Sequence, residues 1–220
     1  ADPAGRAVPE ITHSTYFLND LPAAPIVMAN SFGECFIAEQ VIDDQRAEAV
    51  VRALAIVSRN DIAAIDHALP AHQLRNAVIK GTMSAALRLG QAWRSALEAG
   101  TCPATAVAKA QGGRIVFSGI IGDSSWETTG GFTLGEMHIG GRDAYANRTM
   151  RIRLKNENMV AWLDGDVLAT IPELICLFDR STGKPVTNPH YHRGQDVTVV
   201  VLPAPEAFTT PRGLATFGPA

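Results

Sequence analysis

The hydrophobic pattern of this 220-residue chain changes period near Gln111-Gly112-Gly113. Before that point apolar residues recur mostly every three or four positions, the spacing of one helical face. After it they alternate or run in short blocks, the spacing of strands. An all-helical bundle is excluded by the second half, and an all-β fold by the first. The pattern predicts an α/β part over residues 1–111, followed by a β-rich part over 112–220 built as an antiparallel sandwich or barrel. A ligand site is expected between the two, since such sites favour domain interfaces.

The first part reads as two short strands, Ile26-Val27-Met28-Ala29 and Cys35-Phe36-Ile37-Ala38, around the turn-rich Asn30-Ser31-Phe32-Gly33. Asp43 or Asp44 is placed to cap a helix. Its inward face would carry Ala47, Val50, Val51, Leu54 and Val57, with Arg46, Glu48 and Arg52 pointing elsewhere. Ala63-Ala64-Ile65 is a further strand candidate. Pro70 fits a helix start, with Leu74, Ala77 and Val78 buried. Another helix is expected from Thr82 or Ser84 to just before Gly100, with Met83, Ala86, Leu87, Gly90, Trp93 and Leu97 inward. A short one is expected over 104–110.

In the second part Met150, Ile152 and Leu154 alternate with Arg151, Arg153 and Lys155, giving one apolar and one cationic face. Asp164-Gly165 between Val160–Leu163 and Val167–Thr170 signals a hairpin. Asp179–Lys184 reads as a loop after the strand Leu174–Phe178. Val197–Leu202 reads as a strand buried on both faces and closed by Pro203.

Nineteen Lys and Arg against 22 Asp and Glu give a net charge of −3, and no basic cluster occurs, so a nucleic-acid partner is not expected. No apolar run reaches membrane-spanning length, so no membrane partner is expected either. Cys35, Cys102 and Cys176 are odd in number and widely spaced, which favours reduced thiols and a cytoplasmic setting over a disulfide framework. Catalytic cysteine is disfavoured for the two that lie in apolar strands. No Gly-x-Ser-x-Gly supports a serine hydrolase. Homo-oligomerisation is the expectation for a soluble enzyme.

Two regions carry a family resemblance: the opening ADPAGRAVPE, and the run from GGRIVFSGII through ETTGGF, MRIRLKNENMVAWLDGDVLATIPELICLFD and STGKPV to QDVTVVVLPAP and TPRGLATFGP. Together they resemble the S-methyl thiohydantoin desulfurase family, found among hydantoin-degradation enzymes. Asp2, Gly5, Arg6, Ala7, Pro9 and Glu10 match its Asp-x-x-Gly-Arg-Ala-x-Pro-Glu stretch. Family members are usually longer and begin with an α/β segment bearing a glycine-rich turn. The resemblance therefore implies a C-terminal portion, a cleavage product or one half of a split protein, with a missing N-terminal segment or partner subunit. The implied function is hydrolytic loss of thiol or sulfide from a thiohydantoin or S-methyl thiohydantoin, a small cyclic amide.

That chemistry needs a base for water and a group to stabilise negative charge on the ring. Glu10 is the candidate base, Arg6 the stabilising cation and Asp2 their neighbour, against the simpler reading of a structural ion pair near a chain end. His13 is a substrate-binding candidate ranked below Glu10, because the family usually has an uncharged residue there. Lys80-Gly81-Thr82 precedes a helix and could hold a carboxylate or ring carbonyl, unless Thr82 or Ser84 is an ordinary cap. Asn156-Glu157-Asn158 could read a ring edge or shape a bulge. Thr129 and Gly130 sit in a Gly-Gly turn that permits close approach to a ligand or merely a tight turn. His190 and His192 are weak metal candidates, and a divalent cation is the one cofactor they suggest, since no third ligand is fixed by spacing. His67, His72 and His138 read as isolated. Two other functions stay open: a metal-dependent, hydantoinase-like cyclic amidase, and a non-catalytic subunit of a split enzyme.

Overall fold

A computed structural model of the chain describes residues 1–219. Its contacts divide it into two units, residues 1–80 with 128–132, and residues 81–127 with 133–220. The division falls at Lys80–Gly81, whereas the change of sequence period falls some thirty residues later, because two helices open the second unit.

The first unit runs α1 (Thr15–Leu18), β1 (Ile26–Asn30), β2 (Cys35–Ala38), α2 (Asp44–Val57), β3 (Ile62–Ile65) and α3 (Ala71–Leu74). Its three strands form an antiparallel sheet in the order β2-β1-β3. This is a small antiparallel sheet with helices, not a run of parallel βαβ crossovers. Asp43 caps α2 by accepting from the Arg46 N–H at 2.7 Å, a bond of the kind that contributes about 1 kcal/mol. One side of the sheet is covered: Ile26 and Met28 are fully buried with Ala47, and Val51 and Leu54 of α2 pack on them. The expected α2 face is borne out for Ala47, Val51 and Leu54. Val57 is 72% exposed, while Glu48 and Arg52, expected to point elsewhere, are half-buried.

The second unit begins with α4 (Thr82–Glu98) and α5 (Pro103–Ala110), continues through β4 (Arg114–Thr129), β5 (Phe132–Gly141), β6 (Thr149–Lys155), β7 (Glu157–Leu163), β8 (Asp166–Thr170), β9 (Leu174–Asp179), β10 (Pro185–Val186) and β11 (Asp196–Leu202), and ends with α6 (Pro211–Phe217). All eight strands join one sheet, ordered β10-β9-β11-β4-β5-β6-β7-β8. The sheet curls, so that β7 and β8 pack against β9, which is not their hydrogen-bonded neighbour. The inner face is filled by Phe117, Ile121, Met137, Ile139, Met150, Ile152, Leu154 and the alternating valines of β11. The outer face of β11 takes the short helix α5, with Ala104, Val107 and Ala108 against Val200, Leu202 and Phe178. This double covering is why Val199–Leu202 is an unbroken apolar run. The hairpin expected at Asp164-Gly165 forms between β7 and β8, with both residues at positive φ.

For α4 the inward face differs from expectation. Leu89 and Trp93 pack on the core and Ala96 is buried. Met83 and Leu87 are 72% and 63% exposed, and Ala86 and Gly90 are also exposed. The helix is apolar on two faces, and periodicity alone cannot say which of them is covered.

Candidate functional site

The opening ten residues are pinned by backbone groups at one end and by α2 at the other. The Asp2 carboxylate accepts from the Ala4 N–H at 2.9 Å and the Gly5 N–H at 2.5 Å, and the Asp2 carbonyl accepts from Ile79 at 2.9 Å. Asp2 therefore shapes the turn that Gly5, at φ 68°, completes. The Arg6 Nε donates to the Ala7 carbonyl at 3.0 Å. Glu10 and His13 share a turn, the His13 N–H donating to the Glu10 carbonyl at 3.1 Å.

Around Glu10 the chemistry is supplied by two residues of α2. Arg52 donates from Nε and Nη2 to Glu48 Oε1 at 3.0 and 2.6 Å, from Nη2 to the Pro9 carbonyl at 2.9 Å, and from Nη1 to the Gly131 carbonyl at 2.9 Å. Its guanidinium lies 4.0 Å from the centre of the Phe132 ring. The second Glu48 oxygen accepts from the Ile11 N–H at 2.8 Å. Four of the five guanidinium N–H groups are engaged, which leaves one on Nη1 and the cationic charge. These contacts frame a concavity of about 320 Å³ lined by Val8, Pro9, Glu10, Ile11, Glu48, Val51, Arg52, Ala55, Ile62 and Ala64. Glu10, Glu48 and the cationic Arg52 thus line one small, otherwise apolar hollow.

The Gly-Gly turn meets the same arginine. Gly131 has φ 76°, and a Cβ there would run into the Cδ of Arg52. Its glycine is explained by close approach to a side chain. Thr129 and Gly130 are exposed beside it. The sequence reading passed over Glu48 and Arg52 as roles. The available signal was their i, i+4 spacing on the side of α2 away from the apolar face.

The other candidates are not among the residues that line this hollow. Lys80 closes the first unit. Gly81, at φ 77°, is the cap residue of α4 and uses no side chain. Thr82 does not cap the helix, and its Oγ1 is buried without a hydrogen-bond partner. Asn156 takes φ 55° and receives the Thr133 N–H at 2.8 Å. Asn158 is buried and donates to the Ile175 carbonyl at 2.9 Å, while Asn188 donates to its Oδ1 at 3.0 Å. The pairing of β6 with β7 slips at Met159, just after Asn158, so Asn156-Glu157-Asn158 lies between the turn joining the strands and a bulge. His190 and His192 are exposed on a loop, His192 Nδ1 lying 3.2 Å from the Arg193 carbonyl. Among the described residues no group of three or more His, Cys, Asp or Glu is arranged to hold a metal.

Two histidines read as isolated have carboxylate neighbours. His67 is buried, with Nδ1 2.6 Å from Asp66, Nε2 3.8 Å from Asp44 and its ring 4.8 Å from that of Tyr16. Burial, with the charges of Asp66 and Asp2, raises the Tyr16 phenol above its ordinary value. His138 lies 3.1 Å from Glu136. The three cysteines are free thiols. Cys102 is the cap residue of α5 and lines a second concavity, of about 400 Å³, with Thr101, Arg180 and Thr182. Burial pushes its thiol up. Hydrogen bonds from Thr105 and from the Ala104 backbone, with the Arg180 charge, outweigh that and hold it below the ordinary value. No helix among the described residues is long and apolar enough to cross a membrane.

No curated protein matches the sequence. Among solved structures, the crystal structure of a protein from Chromobacterium violaceum aligns with a TM-score of 0.72 at 25% identity. The match covers 99% of this chain and 61% of that one. The chain thus spans about three fifths of the length of the structure it matches. The sequence profile described as S-Me-THD-like, C-terminal domain, matches residues 42–220, most of the molecule. The protein belongs to the S-Me-THD-like family, the one its sequence resembles, and carries that family's C-terminal domain.

Proposed function

We propose that this chain contributes the catalytic carboxylate of a hydrolase that removes sulfur from S-methyl thiohydantoin rings. The observation that carries the reading is the hollow of about 320 Å³ in the first unit, which Glu10, Glu48 and Arg52 all line. That volume lies in the range of small-molecule sites and suits a five-membered ring. Glu10 takes a proton from water as the water oxygen bonds to the ring carbon bearing sulfur. Negative charge builds on the ring and is met by the remaining N–H and the charge of Arg52. The carbon–sulfur bond then breaks, methanethiolate leaves and takes up the proton, and the ring becomes a hydantoin. No oxidant or reductant is consumed. Arg6, Asp2 and His13 belong to the same stretch and act by setting the position of Glu10.

The test is thiol release from S-methyl thiohydantoin, with Glu10→Gln as the decisive variant. Turnover is expected to fall by about 10²–10⁴-fold, the range a general base supplies, with substrate affinity within a few-fold. Turnover that survives in Glu10→Gln removes Glu10 from the mechanism. Because the chain spans three fifths of its structural match, activity is expected to be higher with the rest of the family's longer chain supplied.

A further inference from the structure

The three-stranded sheet has one face whose side chains are exposed. Register places Ile37, Val27 and Ile65 in one row across β2, β1 and β3, and Cys35, Ala29 and Ala63 in the next. All six are exposed, with Ile37 and Ile65 at 64% and 67%. No charged or hydrogen-bonding polar side chain interrupts either row. A solvated antiparallel face alternates with polar residues, so this face has the composition of a layer interior. The opposite face is covered by α2.

Two facts say what covers it. The family's C-terminal profile begins at residue 42, so β1 and β2 lie before that domain, and only β3 lies within it. About two fifths of the structural match lies outside the part this sequence covers. The sheet therefore straddles the boundary between the C-terminal domain and the remainder of the longer family chain. We propose that the Ile37–Val27–Ile65 face is the docking surface for an apolar helical layer from that remainder, completing a helix–sheet–helix sandwich. Small and β-branched side chains make a flat platform that a helix with an apolar stripe can seat on. The docking holds whether the remainder is joined in one polypeptide or supplied as a separate chain. It does not depend on the chemistry proposed for Glu10.

Cys35 sits on this face and Cys102 on the other unit, so the protein carries its own probe and control. The chain is co-expressed with the part of the Chromobacterium violaceum protein that lies outside the match, and alkylation is followed at each cysteine by mass spectrometry. The expected result is co-purification with at least tenfold slower alkylation of Cys35 and an unchanged rate at Cys102. The double variant Ile37→Lys/Ile65→Lys, with unaltered circular dichroism, should lose the complex. A complex that leaves Cys35 reactive, or that survives the double variant, overturns the proposal, as does failure to co-purify. A chain that dimerises alone with Cys35 protected, and becomes monomeric in the double variant, overturns it in favour of a second copy.

Discussion

The eight-stranded sheet of the second unit and the three-stranded sheet of the first differ in how fully each covers its own apolar surface. The large sheet curls until its inner residues face one another, and it takes α5 on the outside of β11. The small sheet has one helix on one side and exposed apolar side chains on the other. The first kind of unit supplies its own stability. The second leaves apolar side chains exposed, and it also holds Glu10, Glu48 and Arg52. Substitutions that compare the two units measure how unequal they are.

The largest effect is expected at Phe117, fully buried in the inner core with its ring 5.0 Å from that of Tyr145. Phe117→Ala should cost about 3–5 kcal/mol in denaturant unfolding, from lost transfer energy and the cavity left behind. A loss below about 1 kcal/mol would mean that the curled sheet is not the stability core.

Next is Arg52, which holds the first unit together by polar contacts where the second uses packing. Arg52→Ala strands Glu48, whose side chain is only 12% exposed, and releases the carbonyls of Pro9 and Gly131. The expected cost is about 3 kcal/mol, as when one partner of a buried pair is removed. Hydrogen exchange should localise it to residues 1–80 and 128–132. Protection lost equally in β4–β11 would show that the two units unfold as one. Gly131→Ala should cause a smaller loss in the same place, since its φ of 76° and the Arg52 stem both disfavour a Cβ.

A third, smaller effect separates the units by pH. The Asp179 carboxylate accepts from the Ser181 hydroxyl at 2.6 Å, from Gln195 at 2.9 Å and from the Thr182 N–H at 2.8 Å. These bonds, the Ser181 one foremost, hold its pKa well below the ordinary carboxylate value. A carboxyl depressed on folding adds stability above its unfolded pKa of about 3.9, and that stability is lost as pH falls toward the folded value. Asp179→Asn should therefore cost about 1–2 kcal/mol at pH 7 and flatten the decline in stability below pH 4. An acid limb of unchanged slope would remove Asp179 from the pH dependence.

These comparisons also mark what the sequence could reveal. Val197–Leu202, the alternation from Met150 to Lys155 and the Asp164-Gly165 turn are legible because local pattern and burial agree there. Asp43 is legible as a cap because capping is a local bond. The misread face of α4 shows the limit. Met83–Leu87–Gly90 and Leu89–Trp93–Ala96 are both helical stripes, and only the rest of the molecule decides between them. In the hollow, Glu10 stood out through a dense motif. Arg52 did not, because two of its partners are backbone carbonyls 43 and 79 residues away, which any residue provides.

The smallest effect is the one that tests the comparison most directly. Ile65 is a large aliphatic residue at the end of β3, and a sequence scale would count it as core. It is 67% exposed, so Ile65→Thr removes almost no buried area and keeps a β-branched side chain suited to a strand. Stability of the chain alone should change by less than about 0.5 kcal/mol, the range of ordinary surface substitutions, while solubility rises. In a complex with the rest of the longer chain the same change should weaken association, because the methyl it deletes would then be buried. A cost of 1 kcal/mol or more in the isolated chain would mean that the face is already covered there, and that the first unit is as self-sufficient as the second.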